Sequence, residues 1–303
     1  MTDPLRYWPR VVLRLKGTAP GPMLIVLGGI HGNEPAGLHA VEPLLSRLSL
    51  NAGDFVVLSG NRAALALGVR YIERDLNRGW SASEVAALPP RGQGSPEDEE
   101  QRDLLGAIED ALGDARGPVT FLDLHTTSAA GHPFVVVGDD PAHRALAHAF
   151  GLPVFLGLVG KLSGALTPWL CTRGVTALAI EGGQNDDEWS VVRHTAAIRI
   201  ALVECGLLAL SSLGPLNLSR RLLDNARENL PHEIEIVSRY AIKPEDEFRM
   251  EPGFSNIHPV RAGTLIARDR HGDIRAPEDG LVVMPLYQGQ GDDGFFMGRA
   301  VAP

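Results

Sequence analysis

One short stretch, residues 27–37, most constrains what this chain can fold into. It completes an apolar run over residues 23–27 that is typical of a buried parallel strand. Gly28 and Gly29 let the backbone turn sharply after that strand, and Pro35 suits the first turn of a helix. A strand, a tight turn and a helix in this order indicate an open α/β sheet, which binds its ligands at the carboxyl ends of its strands.

The turn in this stretch carries His31 and Glu34. An imidazole and a carboxylate three residues apart on a turn can converge on one metal ion. A catalytic zinc site made of two histidines and one glutamate needs one further imidazole and leaves a position open for water. The alternative is a turn with two solvated polar side chains, so the interpretation depends on a third ligand and a base further along the chain.

A third ligand stands at the end of the third predicted core strand. Residues 119–125 predict this strand, and His125 ends it. Because the carboxyl ends of parallel strands share one edge of a sheet, His125 completes a two-histidine, one-glutamate zinc set with His31 and Glu34. Asp123 is on the same strand face as His125, where it either orients an imidazole or is a purely structural carboxylate.

A candidate base comes from a further strand. Residues 175–180 predict a buried strand that delivers Glu181 to the same edge. A carboxylate there is either a solvated loop residue or a partly desolvated acid. Partial burial raises the pKa of a carboxyl group toward the range of a general base. Glu181 is therefore the candidate that takes a proton from water and passes it to a leaving nitrogen.

An irregular segment over residues 68–80 is dense in arginine and asparagine, and we interpret it as an active-site loop. Its candidates are Arg70, Asn77 and Arg78. A guanidinium binds a carboxylate through two parallel hydrogen bonds, and an arginine beside the metal can stabilise an oxyanion. The alternative for each arginine is a surface salt bridge.

Composition excludes several classes of protein. The chain has 303 residues, enough for a large core and a small second domain, and its net charge of −9 argues against a nucleic-acid surface. Two cysteines, Cys171 and Cys205, form no disulfide framework, and we expect reduced thiols. The first ten residues lack the apolar core of a signal peptide, and no run is long enough to span a bilayer. We therefore expect a soluble cytoplasmic protein without a membrane partner.

Periodicity predicts an alternation of strands and helices, followed by a change of character. Predicted strands cover residues 11–15, 23–27, 54–58, 119–125, 134–137, 153–156 and 175–180. Predicted helices cover residues 35–48, 141–150 and 189–210, and another begins at Pro96 with Ser95 as its cap. After residue 215, short alternating runs predict a small all-β unit. We expect a catalytic domain over residues 1–215 and a β domain over residues 225–303.

Four segments then carry a family resemblance. They are GGIHGNEPAG (28–37), GNRAALALGVRYIERDLNRGW (60–80), FLDLHTTS (121–128) and ALAIEGGQND (177–186). In this order they resemble the succinylglutamate desuccinylase and aspartoacylase family, which is related to zinc carboxypeptidases. The resemblance implies an α/β fold with a zinc-carboxypeptidase-like mixed sheet flanked by helices. It also implies a small C-terminal all-β domain that partly covers the active site.

By position, the resemblance implies that His31, Glu34 and His125 bind one Zn²⁺ per chain. Glu181 matches the catalytic glutamate of the family. A His-His-Glu set does not by itself exclude cobalt, manganese or iron.

The resemblance also assigns the groups around the substrate. Arg70 matches the arginine that polarises the scissile carbonyl, and Asn77 with Arg78 matches the pair that holds a substrate carboxylate. Some members add a tyrosine from the β domain, for which Tyr240 and Tyr287 are candidates. Residues 156–169 lack an arginine that matches the extra carboxylate-binding arginine of aspartoacylase, so N-acetylaspartate is not assigned as the substrate.

The expected function is that of a zinc-dependent amidohydrolase, a deacylase of linear amides. Its substrate would be an N-acyl amino acid or a similar small anionic carboxylate. One alternative is a carboxypeptidase that cuts short peptides, which needs an open cleft. The other is a non-catalytic zinc-binding protein of the same fold. The sequence leaves open whether the chain forms a homo-oligomer.

Overall fold

Fourteen strands are present in the computed structural model, which describes residues 8–44, 48–209 and 216–301. They are β1 (Val11–Lys16), β2 (Ala19–Gly28), β3 (Ala52–Ser59), β4 (Val119–Thr127), β5 (Phe134–Val136), β6 (Val154–Leu156), β7 (Thr176–Gln184), β8 (Glu233–Ala241), β9 (Arg249–Met250), β10 (His258–Val260), β11 (Leu265–Asp269), β12 (Gly272–Arg275), β13 (Gly280–Val283) and β14 (Asp293–Ala300).

The same residues contain eight α-helices and four short 3₁₀ turns. The helices are α1 (Ala36–His39), α2 (Arg62–Leu67), α3 (Ala82–Ala86), α4 (Pro96–Asp114), α5 (Pro141–His148), α6 (Leu166–Cys171), α7 (Glu188–Glu204) and α8 (Leu216–Arg227). Among the helices in the described residues, none is both long enough and apolar enough to cross a membrane.

One mixed sheet of eleven strands runs through the molecule in the order β1-β3-β2-β4-β7-β5-β6-β8-β14-β13-β10. Its centre, β3-β2-β4-β7, is parallel, so the carboxyl ends of these strands share one edge. Continuous apolar runs form these strands because both faces of the sheet are covered. Leu24 and Val26 pack on the side of α7, whereas Met23, Ile25 and Leu27 pack on the side of α4 and α6.

The predicted helix over residues 35–48 is wrong over most of its length. The structure has the single turn α1, and a 3₁₀ turn over Glu42–Leu44 follows it. Pro43 explains the break, because proline cannot donate the backbone hydrogen bond and its ring clashes with the preceding turn. Residues 45–47, which include the predicted apolar position Leu45, lie outside the described residues.

Two predicted strand ends are also wrong. Both β4 and β7 continue past the expected last residue, so that His125 and Glu181 lie inside strands and face each other as a parallel pair. The pairing of Thr127 with Gln184 beyond them gives the extra residues neighbours within the sheet. Helix α7 ends at Glu204 rather than near residue 210, and Val192, predicted for its apolar stripe, is 42% exposed.

The N-terminus of α4 follows its prediction closely. Ser95 accepts a hydrogen bond from the backbone N–H of Asp98, and the Asp98 side chain accepts one from Ser95 in return. This reciprocal cap satisfies two amides that the helix leaves free.

The C-terminal strands extend the main sheet. Strand β8 pairs with β6 in parallel, and β14, β13 and β10 follow it, whereas β12, β11 and β9 form a separate antiparallel sheet of three strands. The predicted fold class is confirmed as a mixed α/β fold with a small antiparallel C-terminal sheet. Helix α8 was not predicted, and it precedes β8 in the chain.

Candidate metal centre and active site

The turn after β2 places two ligand side chains at the carboxyl edge of the sheet. Gly29 has a φ of +72°, a conformation that glycine adopts without steric cost. Gly32 packs so closely on the next segment that a Cβ there would lie 2.1 Å from the carbonyl carbon of Ala64. The backbone N–H of Glu34 donates to the carbonyl of His31 at 3.1 Å, which closes the turn and turns both side chains inward.

Three predicted ligands converge in one buried cluster. His31 Nδ1 lies 2.9 Å from Glu34 Oε1, and His125 Nδ1 lies 3.1 Å from Glu34 Oε2. One ligand atom from each side chain can be chosen so that all three lie within 4.8 Å of one another. The structure therefore brings together two strands that are far apart in sequence, as the prediction required.

Each imidazole has a carboxylate next to the ring nitrogen that points away from Glu34. His31 Nε2 lies 3.1 Å from Asp75 Oδ1, and His125 Nε2 lies 3.1 Å from Asp123 Oδ2. A carboxylate at Nε2 favours a proton on that nitrogen and leaves Nδ1 to face the centre of the cluster, as in many metal sites. Sequence alone gives this role to Asp123 as one of two alternatives and does not single out Asp75.

Arg70 ties the cluster to the irregular loop. Its guanidinium donates to Glu34 Oε1 at 3.1 Å and to Asp75 Oδ2 at 3.0 Å. The backbone N–H of Thr126 donates to Glu34 Oε2 at 3.1 Å. Burial works to raise the pKa of Glu34, but the two neighbouring imidazoles outweigh it and hold that pKa below its usual value.

The charge balance of the cluster fits a cation. Four carboxyl groups with little exposure to solvent surround it, and among the described residues the Arg70 guanidinium contacts two of them, those of Glu34 and Asp75. Buried negative charge is costly unless it is paired or coordinates a metal. The four groups are those of Glu34, Asp75, Asp123 and Glu181.

Glu181 completes the group from β7. It is 7% exposed, and its Oε2 is buried without a hydrogen-bond partner. Burial raises the pKa of Glu181 to about 7. A carboxyl group with a pKa near neutrality can accept a proton and return it.

Asn77 and Arg78 line the same cavity, but their side chains already have partners. Asn77 Oδ1 accepts from the backbone N–H of Leu166 at 2.9 Å. Arg78 donates to Asp293 at 2.9 Å and to Asp292 at 3.3 Å, both from the C-terminal region. No sequence signal points to this pairing, because it joins residues more than 200 positions apart.

The ligands line a cavity of about 950 Å³, measured with its open mouth. The segment after β13 forms part of its wall, and two side chains of this segment bond to the turn after β2 and to the irregular loop. Gln288 accepts from the Asn33 side chain at 2.9 Å, and the Gln290 side chain donates to the Tyr71 carbonyl at 3.0 Å. Neither candidate tyrosine lines the cavity. Tyr240 donates to Asp269, and the Tyr287 hydroxyl donates to the Glu251 carbonyl.

Known proteins resemble this chain in sequence and in fold. A probable aspartoacylase of Parasynechococcus marenigrum (strain WH8102) is 36% identical over 193 residues, which cover 60% of each chain. A succinylglutamate desuccinylase of Burkholderia thailandensis is 25% identical over 274 residues, which cover 83% of this chain and 71% of that one. The crystal structure of a succinylglutamate desuccinylase/aspartoacylase from Rhodobacter sphaeroides superposes with a TM-score of 0.70 at 20% identity, over 95% of this chain and 88% of that one.

The family model for the succinylglutamate desuccinylase/aspartoacylase catalytic domain matches residues 20–187. That range is more than half of the 303 residues, and it contains the strands and the irregular loop that build the site. The chain belongs to the succinylglutamate desuccinylase/aspartoacylase family.

Proposed function

We propose that this protein is a zinc-dependent deacylase, which hydrolyses the amide bond of an N-acyl amino acid or a similar small carboxylate. One observation carries the proposal. A buried two-histidine, one-glutamate cluster lies in the same cavity as a carboxyl group whose pKa is about 7. Metal ligands beside a group that can accept and return a proton are the elements of hydrolysis by activated water.

We assign the metal to His31, Glu34 and His125. A zinc ion held there would act as a Lewis acid and lower the pKa of water. Neutral imidazole and carboxylate are ligands that zinc accepts, and the carboxylates behind both imidazoles match the outer partners that such ligands usually have.

We assign the proton transfer to Glu181. Its free Oε2 takes a proton from water as the water oxygen attacks the amide carbon. The carbon–nitrogen bond then breaks, and Glu181 returns the proton to the leaving nitrogen, so that a carboxylic acid and an amine are formed. The acid then gives up its proton to the amine, and the products are a carboxylate and an ammonium group. Arg70, whose guanidinium is fixed by Glu34 and Asp75, is assigned to the oxygen of the attacked carbonyl.

We assign the substrate carboxylate to Asn77 and Arg78. Both residues line the cavity, which supports the assignment. To bind a carboxylate with two hydrogen bonds, Arg78 exchanges at least one of its contacts with Asp292 and Asp293.

The cellular location of the enzyme and its division into two domains are part of the same proposal. Cys171 and Cys205 are free thiols, which supports a reducing, cytoplasmic location. The division into a catalytic domain over residues 1–215 and a covering β domain over residues 225–303 is supported by the C-terminal residues that line the cavity wall.

The test is amine release from a panel of N-acetyl, N-succinyl and N-formyl amino acids together with short peptides. The zinc-loaded protein is expected to release amine from acyl amino acids in preference to peptides, because the segment after β13 forms part of the cavity wall and is fixed there by two side-chain hydrogen bonds. Faster cleavage of peptides would favour a carboxypeptidase instead. Binding without release from any compound would favour a non-catalytic zinc-binding protein.

Metal content tests the ligand assignment separately. His31→Ala is expected to lose zinc, measured by elemental analysis of the purified protein. His39→Ala is the matched control, since His39 lies at the end of α1 and contacts Glu42 outside the cluster. Full zinc occupancy in the His31 variant would refute the assignment.

A further inference from the structure

One wall of the cavity is apolar. Its side chains belong to a buried cluster that joins the central sheet to the C-terminal strands, and the cluster reaches the cavity through Val136, Leu158, Val159, Leu162, Ala179 and Phe296. These residues come from four separate parts of the fold, namely β5, β7, β14 and the segment between β6 and α6. The wall is therefore a continuous surface of the hydrophobic core rather than one isolated side chain.

The apolar wall begins next to Glu181. Side chains alternate along a strand, so Ala179 and Glu181 lie on the same face of β7, about 7 Å apart along the strand. Val136 is the direct neighbour of Ala179 on β5. A substrate whose amide lies at Glu181 therefore places the group on one side of that amide against Ala179 and Val136.

The cavity has little positive charge to offer a second carboxylate. Among its described lining residues, the guanidinium groups are those of Arg70 and Arg78, and no lysine is present. Arg70 is held by Glu34 and Asp75 at the metal centre. Arg78 can serve one substrate carboxylate, which leaves none for another.

Two aspartates further reduce the positive charge that is available to a substrate. Asp292 and Asp293 line the cavity and contact both Arg78 and Arg239, so two positive and two negative groups already balance one another. A second substrate carboxylate placed on the apolar wall would be desolvated without a partner, whereas an apolar group there would leave water.

We infer that the substrate is an N-acyl amino acid with one carboxylate and an apolar group, aliphatic or aromatic, in place of a second carboxylate. This inference rests on the proposed function, and it names the substrate class of the same site. The apolar group belongs either to the acyl chain or to the amino-acid side chain, and the ligands of the test separate these two sources.

The test measures binding without turnover. Zinc-loaded Glu181→Gln is titrated by calorimetry with N-acetyl-L-leucine, N-hexanoylglycine, N-acetyl-L-aspartate, N-succinyl-L-glutamate and Nα-acetyl-L-lysine. At least one of the first two is expected to bind about tenfold or more tightly than each of the charged ligands. Tightest binding by N-acetyl-L-leucine assigns the wall to the amino-acid side chain, and tightest binding by N-hexanoylglycine assigns it to the acyl chain.

A charge placed on the wall tests its role directly. Leu162→Arg, made in the same Glu181→Gln background, is expected to shift the ratio of apolar to dicarboxylate affinity about tenfold toward the dicarboxylates. Leu218→Arg is the matched control, because Leu218 is 58% exposed on α8 and does not line the cavity. It is expected to leave the ratio unchanged.

Several results would overturn the inference. They are equal or tighter binding of a charged ligand, no binding of any ligand, or an unchanged ratio in folded Leu162→Arg. Turnover by the wild-type enzyme separates this failure from failure of the proposed function. Hydrolysis that prefers dicarboxylates refutes the substrate class and keeps the deacylase. Preferential binding of apolar ligands without any hydrolysis refutes the deacylase and keeps the ligand class.

Discussion

Asp75 connects the metal centre to the irregular loop through a single carboxylate. One oxygen lies 3.1 Å from His31 Nε2, and the other accepts from Arg70 at 3.0 Å. The first oxygen also accepts from the backbone N–H of Asn77 at 2.8 Å. The carboxylate thus fixes an imidazole, a guanidinium and the start of a 3₁₀ turn at the same time.

Replacing this carboxylate by an amide should weaken metal binding without unfolding the protein. Asp75→Asn keeps the size of the side chain but removes the charge that holds His31 and Arg70. We expect zinc affinity to fall about 10–100-fold, as is usual when an outer partner of a ligand is lost. Competition with a chromophoric chelator measures the affinity.

A surface aspartate supplies the control. Asp114→Asn removes a carboxylate that is 54% exposed and pairs with Arg14 at the end of α4, so zinc affinity should not change. Equal zinc affinity in Asp75→Asn and wild type would show that His31 does not depend on Asp75.

Asp75 and Asp123, whose carboxylates contact the two imidazoles, show how far the site could be predicted from the sequence. Asp123 could be placed because strand periodicity puts it on the face of His125, two residues away. Asp75 lies in a loop without a regular period, so its direction follows only from the contacts of the folded chain. The same limit applies to Asp292 and Asp293, which meet Arg78 from more than 200 positions away in the sequence.

At the scale of elements, the turn between β2 and α1 is set by close packing. Gly32 contacts the backbone of α2, and the backbone N–H of Gly32 donates to the Arg70 carbonyl at 3.1 Å. The turn that carries two metal ligands therefore rests on the loop that carries Arg70. Any displacement of one should displace the other.

Two glycine substitutions should have opposite effects on stability. Gly32→Ala forces its Cβ into the backbone of Ala64, and we expect it to lower the free energy of unfolding by about 1–3 kcal/mol. Gly106→Ala lies within α4 with no neighbouring atom within 4 Å of the new Cβ, so it should raise that free energy by about 0.5–1 kcal/mol. Urea unfolding measures both. A neutral or stabilising Gly32→Ala would contradict the packing of this turn.

Sequence predicted the elements better than their ends. Ser95 and Pro96 indicated a helix start that depends on local hydrogen bonds, and the structure has it. The apolar spacing over residues 35–48 predicted one continuous helix, but Pro43 lies inside that range and the helix is broken there. The ends of β4 and β7 depend on pairing between two distant strands, which the local sequence does not record.

At the scale of the whole molecule, the C-terminal strands share a core with the catalytic part. Phe134 and Phe155 stack at 3.9 Å between ring centroids, and Ile234, Val283 and Phe296 belong to the same buried cluster. Sequence predicted a small all-β unit after residue 215, and in the structure strand β8 of this region pairs with β6 and so extends the main sheet. Alternation shows that strands form but not which sheet they join.

A shared core implies that both parts unfold together. All four tryptophans lie before residue 215, so their fluorescence reports on the catalytic part alone. Val283→Ala, in the C-terminal cluster, should lower the free energy of unfolding by about 1–3 kcal/mol and shift the fluorescence midpoint as much as the circular dichroism midpoint. Val192→Ala, at an exposed position of α7, should change the free energy of unfolding by no more than about 0.5 kcal/mol with either probe. A fluorescence midpoint that is the same in Val283→Ala and in the wild type would show that the catalytic part unfolds independently of the C-terminal strands.

The most direct measurement compares zinc content and turnover in Glu181→Gln and the wild-type protein. Position 181 supplies no metal ligand in our assignment, so the variant should keep a full equivalent of zinc. An amide there cannot take a proton from water, so the rate of amine release should fall about 10²–10⁴-fold on the best substrate of the wild type. Near-normal turnover at full zinc occupancy would contradict the assignment of Glu181 and, with it, the proposed mechanism.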